Sequence, residues 1–189
     1  MRTQIEEEIV LLLRDPERAR EGFSRIVNLY AEKLYWQIRK MVLSHDDAND
    51  LLQNTFMKAW ANIDLFRGEA KLSTWLYKIA LNECITFLNM DRGQNQVSID
   101  DNDLFLMDQL KDDPYFDGDD LQKRLQEAIL TLPEKQRIVF LMKYYDDMKY
   151  EDIAEVLDVA VGTLKATYHN AVKKIEESLK ISDTLPSFE

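Results

Sequence analysis

Apolar positions along this chain recur at spacings of three and four residues over long stretches, and no long alternating run of β-branched residues interrupts them. That period predicts an all-helical protein. The first long helix is expected around Phe23 to Val42, with Phe23, Val27, Tyr30, Leu34, Ile38 and Val42 turned inward. Ser44 stands where it can cap a following helix over about His45 to Ile63, its side-chain oxygen accepting from a free backbone N–H of the first turn. Two faces separate in that helix. Leu52, Phe56, Trp60 and Ile63 recur at spacings of four, four and three, while Asp50, Gln53, Asn54 and Met57 share a neighbouring polar surface.

A third helix follows a loop that starts near Ile63, and Ser73 or Thr74 is the expected N-cap. Leu76, Ile79, Ala80, Cys84, Phe87 and Leu88 make its buried face; Lys78, Asn82 and Asn89 fall on another. Within the run Phe66 to Asn82, FRGEAKLSTWLYKIALN, aromatic rings therefore stand beside a cation and amides. That mixture suits single-stranded DNA, whose bases stack on rings while a cation meets phosphate. Trp75 and Tyr77 also fit an ordinary helix core, and Phe66 fits either role.

The segment from Leu132 to Ile175 reads as two helices, a short turn and a third helix. Ile153, Ala154 and Leu157 give a short helix its inner face, Asp158-Val159-Ala160 makes the turn, and Val161, Leu164, Tyr168, Ala171, Val172 and Ile175 bury the helix that follows. This is the spacing of a helix-turn-helix. Gly162, Thr163, Lys165, Ala166, Thr167, His169, Asn170 and Lys173 are left outward. A helix with small residues at its start and donors further along can enter the DNA major groove, with phosphates met by lysines.

Charge changes the picture only once it is located. The chain of 189 residues carries a formal net charge of -11, unexpected for a protein that meets DNA. Its balance is -1 over residues 1–92, -8 over 93–120 and -2 over 121–189, so the excess is concentrated in the middle. Aspartates crowd that segment, and Gly93, Pro114 and Gly118 break it. It is expected to be a solvated linker with no core of its own, between an N-terminal domain over 1–92 and a C-terminal domain over 121–181, with 182–189 as a tail. Neither end is a strong polyelectrolyte binder, so the free protein should hold duplex DNA weakly.

Taken together, the residues resemble the extracytoplasmic-function class of bacterial sigma factor. Asp50-Leu51-Leu52-Gln53-Asn54-Thr55-Phe56-Met57-Lys58-Ala59-Trp60 resembles that family's conserved region two, and FRGEAKLSTWLYKIALN the promoter-melting segment after it. Leu132-Pro133-Glu134-Lys135-Gln136-Arg137 and the run from Ile153-Ala154 through Gly162-Thr163-Leu164-Lys165 resemble region four. The resemblance implies a dissociable subunit that binds RNA polymerase core, through the clamp coiled coil and the flap, and supplies promoter choice. It implies a polymerase-binding role for Asp50, Gln53, Asn54 and Met57, a melting role for Phe66, Lys78 and Asn82, and DNA reading by the outward residues from Gly162 to Lys173. It further implies that the acidic linker threads through the polymerase, and that an anti-sigma protein, often membrane-anchored, holds the free subunit silent.

This chain also departs from the family's pattern. Asp158 stands where glycine is usual, Thr167 and Asn170 where arginine is common, and Ala160 where serine would cap the recognition helix. Fewer arginines imply weaker phosphate anchoring.

Other chemistries find little support. The single cysteine, Cys84, excludes an internal disulfide, and His45 and His169 are too far apart and too poorly accompanied for a zinc site. No P-loop, nucleophile elbow or Cys-pair motif is present, so no enzyme activity, cofactor or small-molecule substrate is expected. No stretch approaches the roughly 18 consecutive apolar residues of a membrane span, and the acidic N-terminus lacks a secretory pattern; a cytoplasmic protein is expected. Two rival readings stay open on sequence alone: a stand-alone helix-turn-helix regulator, and a helical adaptor without DNA binding.

Overall fold

The structure is a computed structural model, in which residues 4–66, 68, 70–95 and 120–184 are described, with side chains described up to residue 90 and over 121–180. All regular structure among the described residues is helical. The helices are α1 (Gln4–Leu13), α2 (Ala19–Val42), α3 (His45–Ala61), α4 (Leu72–Asn95), α5 (Asp120–Leu130), α6 (Glu134–Tyr144), α7 (Tyr150–Leu157) and α8 (Val161–Thr184), with a single 3-10 turn at Ile63–Leu65. The chain divides into two compact units, Met1–Asn89 and Met90–Glu189. The expected boundary at 92 falls inside α4, and residues 96–119 of the expected linker lie outside the described residues.

The first unit is built on α2, which packs against both α1 and α3. Helix α1 has no counterpart among the sequence expectations. It buries Ile9, Val10 and Leu12 on α2, and its buried Glu6 accepts a hydrogen bond from the Tyr30 hydroxyl at 2.7 Å. Burial first, and then that carboxylate, push the Tyr30 hydroxyl well above its ordinary range. The crossing is close at Gly22, where an added Cβ would come within 2.9 Å of the Leu12 Cβ. Leu43 ends α2 in the left-handed conformation (φ 59°), its N–H bonding the Arg39 carbonyl at 2.9 Å. A left-handed leucine is strained, and its full burial supplies the compensation. Ser44 then caps α3 as expected, accepting from the Asp47 N–H at 3.2 Å.

The inward stripe of α3 differs from the expected one. Ala48, Leu51, Thr55 and Ala59 are buried, whereas Leu52, Phe56 and Ile63 are half-buried and Trp60 is exposed. Only Leu43 and Ser44 separate α2 from α3, so the two helices approach closely and small side chains take the seam. The aromatics flank it: Phe23 of α2, itself half-buried together with Val27, meets the Phe56 ring at 6.3 Å and the Trp60 ring at 5.0 Å. A pattern weighted by side-chain size passes over alanine and threonine.

Helix α4 starts at Leu72, ahead of both expected caps, and the Trp75 N–H bonds the Lys71 carbonyl at 3.1 Å. The early start buries Leu72 completely and turns Thr74 inward. Burying a leucine is worth about 1.5–3 kcal/mol, against about 1 kcal/mol for a side-chain cap, so packing sets the boundary. Leu76, Ala80, Cys84 and Leu88 are buried as expected, joined by Tyr77 and Leu81; Ile79 and Phe87 are half-buried. Lys58 of α3 pairs with Glu83 of α4 at 2.5 Å, and Lys33 of α2 lies 5.8 Å from the Tyr77 ring centre, so all three helices are tied.

In the second unit α8 is the spine on which α5, α6 and α7 pack. Leu164, Ala171 and Ile175 form its buried line, with Val161, Tyr168 and Val172 half-buried. On α7 the buried pair is Ile153 and Val156; the expected Ala154 and Leu157 are half-buried. A helix of eight residues crossed by α8 offers one narrow contact line, and a spacing of three puts 153 and 156 on it. The turn is as expected. Asp158 takes φ 54° and ψ 46°, and the Val159 N–H donates to the Ala154 carbonyl at 3.3 Å, the long bond of a Schellman stop. Aspartate tolerates the left-handed region better than most residues, so the missing glycine leaves the turn intact.

Candidate binding surfaces

On α3, Asp50, Gln53, Asn54 and Met57 are all exposed, at spacings of three, one and three that put them on one stripe. Met57 is 62 % exposed, a long apolar side chain standing in solvent opposite a stripe of small buried ones. One turn further on, the stripe reaches Trp60, which is 39 % exposed and lines an open cleft of about 200 Å³ with Phe23 and Arg20. Sequence reasoning placed Trp60 and Phe23 inside and so missed this cleft. Its only sequence signal is Arg20, one turn before Phe23 and outside the helix range expected there.

The expected melting residues occupy a second surface. Trp75, Lys78 and Asn82 recur at spacings of three and four on α4, one stripe, with Lys78 and Asn82 exposed. Phe66 joins it through Trp75, their ring centres 5.1 Å apart and tilted by 45°. Both rings are half-buried, so each supports the other and still offers ring surface. Tyr77 is core. Leu65, just before Phe66, is 71 % exposed and was not singled out from the sequence. Gly68 takes φ 73°, a left-handed conformation that glycine adopts without steric cost. Behind this surface, burial pushes the Cys84 thiol up to about 12, with the Glu83 carboxylate adding to the shift. Cys84 is therefore a packed, protonated side chain.

The third surface is the outer face of α8. Gly162, Thr163, Lys165, Ala166, His169, Asn170 and Lys173 are exposed, and Thr167 is half-buried with its hydroxyl donating to the Thr163 carbonyl at 2.8 Å. A Cβ on Gly162 would meet nothing within 4 Å, so nothing inside the protein requires a glycine there. Lys173 lies 3.9 Å from Glu177. Behind this face stand Phe140, Tyr144, Tyr150 and Tyr168, and burial, then the neighbouring Tyr150, raise the Tyr168 hydroxyl above its ordinary value. Among the described residues no group of three or more His, Cys, Asp or Glu is placed to hold a metal, and no helix is long and apolar enough to cross a membrane.

A helix-turn-helix with small residues outward at the start of its second helix is the arrangement that proteins reading duplex DNA place in the major groove. Comparison with known proteins narrows that class. Residues 26–93 match the family model for sigma-70 region 2, and residues 122–175 match that for sigma-70 region 4. The ECF RNA polymerase sigma factor SigW of Bacillus subtilis is 30 % identical over 168 residues, covering 85 % of this chain and 90 % of that one. The ECF RNA polymerase sigma-E factor of Haemophilus influenzae is 30 % identical over 176 residues, covering 87 % and 93 %. Among solved structures, the sigma factor RpoE, crystallised with the anti-sigma factor NepR from Bartonella quintana, superposes with a TM-score of 0.67 at 26 % identity, over 85 % of this chain and 98 % of that one. CnrH, solved with the cytosolic domain of CnrY, shares the fold at a TM-score of 0.67 and 18 % identity. This chain belongs to the ECF family of RNA polymerase sigma factors. It is a non-enzymatic initiation factor that directs promoter-specific transcription.

Proposed function

We propose that the three surfaces divide the work of initiation. The α3 stripe of Asp50, Gln53, Asn54 and Met57 docks on the polymerase clamp, where a carboxylate and an amide pair with basic groups by charge-assisted bonds and Met57 fills an apolar recess. The Phe66–Trp75 pair with Lys78 and Asn82 captures bases that leave the stack, offsetting their lost pairing and stacking. The outer face of α8 reads the upstream promoter element in the major groove. Residues 1–92 thus carry core binding and melting, and residues 121–181 carry upstream recognition. The observation behind this reading is the α3 stripe itself: four exposed residues, one of them a large apolar side chain, opposite a buried seam of small ones. An anti-sigma protein is the proposed silencing partner, supported by the relative crystallised in such a complex. The place of work is the cytoplasm, where polymerase and promoter meet.

Run-off transcription with purified polymerase core tests the proposal. Added to core, this chain alone should produce promoter-specific starts. Asp50→Ala with Gln53→Ala should lower core affinity, and Lys78→Ala or Asn82→Ala should lower permanganate reactivity of unpaired thymines while core binding holds. Specific DNA binding without polymerase would favour the stand-alone regulator, and neither activity would favour the adaptor.

A further inference from the structure

The recognition helix is poor in cations. From Val161 to Val172 it carries one lysine and no arginine, and that lysine is Lys165. Farther along, Lys173 has Glu177 within 3.9 Å. Lys165 has no carboxylate at salt-bridge distance among the described residues; its ammonium lies 5.8 Å from the centre of the Tyr150 ring. A cation over an aromatic face is held by about 0.5–1 kcal/mol at an exposed site, and the ring leaves its formal charge uncompensated. A carboxylate in the same place would cancel it.

That ring is held from several sides. It meets Tyr168 of α8 edge-on at 6.4 Å, Tyr168 stacks on Phe140 of α6 at 5.8 Å, and Phe140 stacks on Tyr144 at 5.1 Å. A second ammonium, that of Lys143, lies 5.6 Å from the same ring centre, tied to the Met148 carbonyl at 3.1 Å and to Asp147 at 3.4 Å. Both ammoniums lie near this ring, and of the two only Lys143 has an acidic partner among the described residues. Tyr150 opens α7, the first helix of the motif, and Lys165 lies on the second. In this motif the second helix enters the groove while the first crosses the backbone, so an ammonium spanning the two stands at the groove's rim, beside phosphate.

We propose that Tyr150 is a positioning residue for promoter binding: its ring seats the Lys165 ammonium to grip one backbone phosphate of the duplex. The proposal rests on the reading of α8 as the recognition helix. The seat makes the single lysine of that stretch a fixed contact, so less side-chain freedom is lost on binding than from a free lysine.

The test uses holoenzyme, assembled from polymerase core and the full chain, on a promoter duplex selected by the wild-type holoenzyme from randomised DNA. Affinity is measured against salt concentration for Tyr150→Phe, Tyr150→Leu, Lys165→Met and the Tyr150→Leu/Lys165→Met double variant, with thermal melting of each free chain as a check on folding. Lys165→Met should reduce the slope of log affinity against log salt by about one, the signature of a lost phosphate contact. Tyr150→Leu should weaken binding by about fivefold and lower the slope in the same direction. Tyr150→Phe should stay within about twofold of wild type, because the ring face remains. In the double variant the tyrosine change should add nothing further. Additive losses, or a Tyr150→Leu loss with the wild-type salt slope, would show a merely hydrophobic support and overturn the seat while leaving α8 as the reading helix. A Lys165→Met variant with wild-type affinity and slope would overturn the seat and remove Lys165 from the recognition face as well.

Discussion

Helices α3 and α8 both carry a proposed binding face, yet their outer faces differ in side-chain size. Helix α3 buries Ala48, Thr55 and Ala59 beside Leu51 and exposes Met57 and Trp60; α8 buries Leu164 and Ile175 beside Ala171 and exposes Gly162, Thr163 and Ala166. On the proposed reading of the two faces, partner shape accounts for the difference. A protein surface offers pockets, and large anchors that fill them dominate the energy of such contacts. A major groove about 12 Å wide admits a helix, and short side chains at its leading end let the backbone approach the base edges closely. On that reading the same hydrophobic period serves two recognition chemistries, and the difference lies in which residues face outward.

The largest expected effect comes from attacking the inner side of each face. Ile153→Ala empties a fully buried site of the helix-turn-helix and should cost about 2–5 kcal/mol. Thr55→Ala, in the small seam of α3, removes the 2.7 Å hydroxyl bond to the Leu51 carbonyl and should cost about 1 kcal/mol or less. Chemical denaturation of the free chain reads both, and equal costs would break the contrast between the two interiors.

Reversing side-chain size on the outer faces sharpens the comparison. Met57→Ala should weaken polymerase-core binding by about tenfold in calorimetric titration, while Ala166→Met should weaken promoter binding of the holoenzyme by about tenfold in a filter or fluorescence assay. Both positions are exposed, so melting of the free chain should move by no more than about 0.5 kcal/mol. A crossed result, with Met57→Ala sparing core binding, would remove α3 from the polymerase contact.

A smaller effect is expected at Gly162. With open space around an added methyl, Gly162→Ala should stabilise α8 by up to about 1 kcal/mol and yet reduce promoter affinity severalfold. Unchanged affinity would mean that the backbone there does not approach DNA.

The smallest concerns the interior behind the melting stripe. Burial raises the Cys84 thiol from its ordinary value of 9.0 to about 12, so the folded state keeps a proton that the unfolded state loses. Its contribution to stability is full below pH 9 and declines as pH rises toward about 12. Alkylation of the native chain at pH 8 should be negligible and should become rapid on unfolding. Fast native labelling would place Cys84 at the surface.

Legibility from sequence followed side-chain size. Where leucines mark the buried line, as Leu76 and Leu88 do, period alone located it together with the smaller Ala80 and Cys84 between them. Where the seam is small, as at Ala48 and Ala59, the aromatics Phe56 and Trp60 drew attention away from the true line. Polar residues were read better than apolar ones: Asp50, Gln53, Lys78, Asn82 and Lys165 all stand in solvent where their spacing placed them. A charge or amide has a strong reason to avoid an apolar interior, whereas a large apolar side chain is common on both sides of the boundary.

The sequence by itself determined the helical class, the Ser44 cap, the Asp158 turn and the exposed polar stripes, because each follows from a local rule linking a few residues to backbone geometry or water. Tertiary structure decided the rest. It put Trp60 beside Phe23 and Arg20, began α4 at Leu72 rather than at a capping serine, and laid Lys165 on a tyrosine fifteen residues earlier in the chain. Those outcomes depend on how closely two helices approach and which rings then meet. Such distances are set by the packing of many side chains at once, and no short stretch of sequence encodes them.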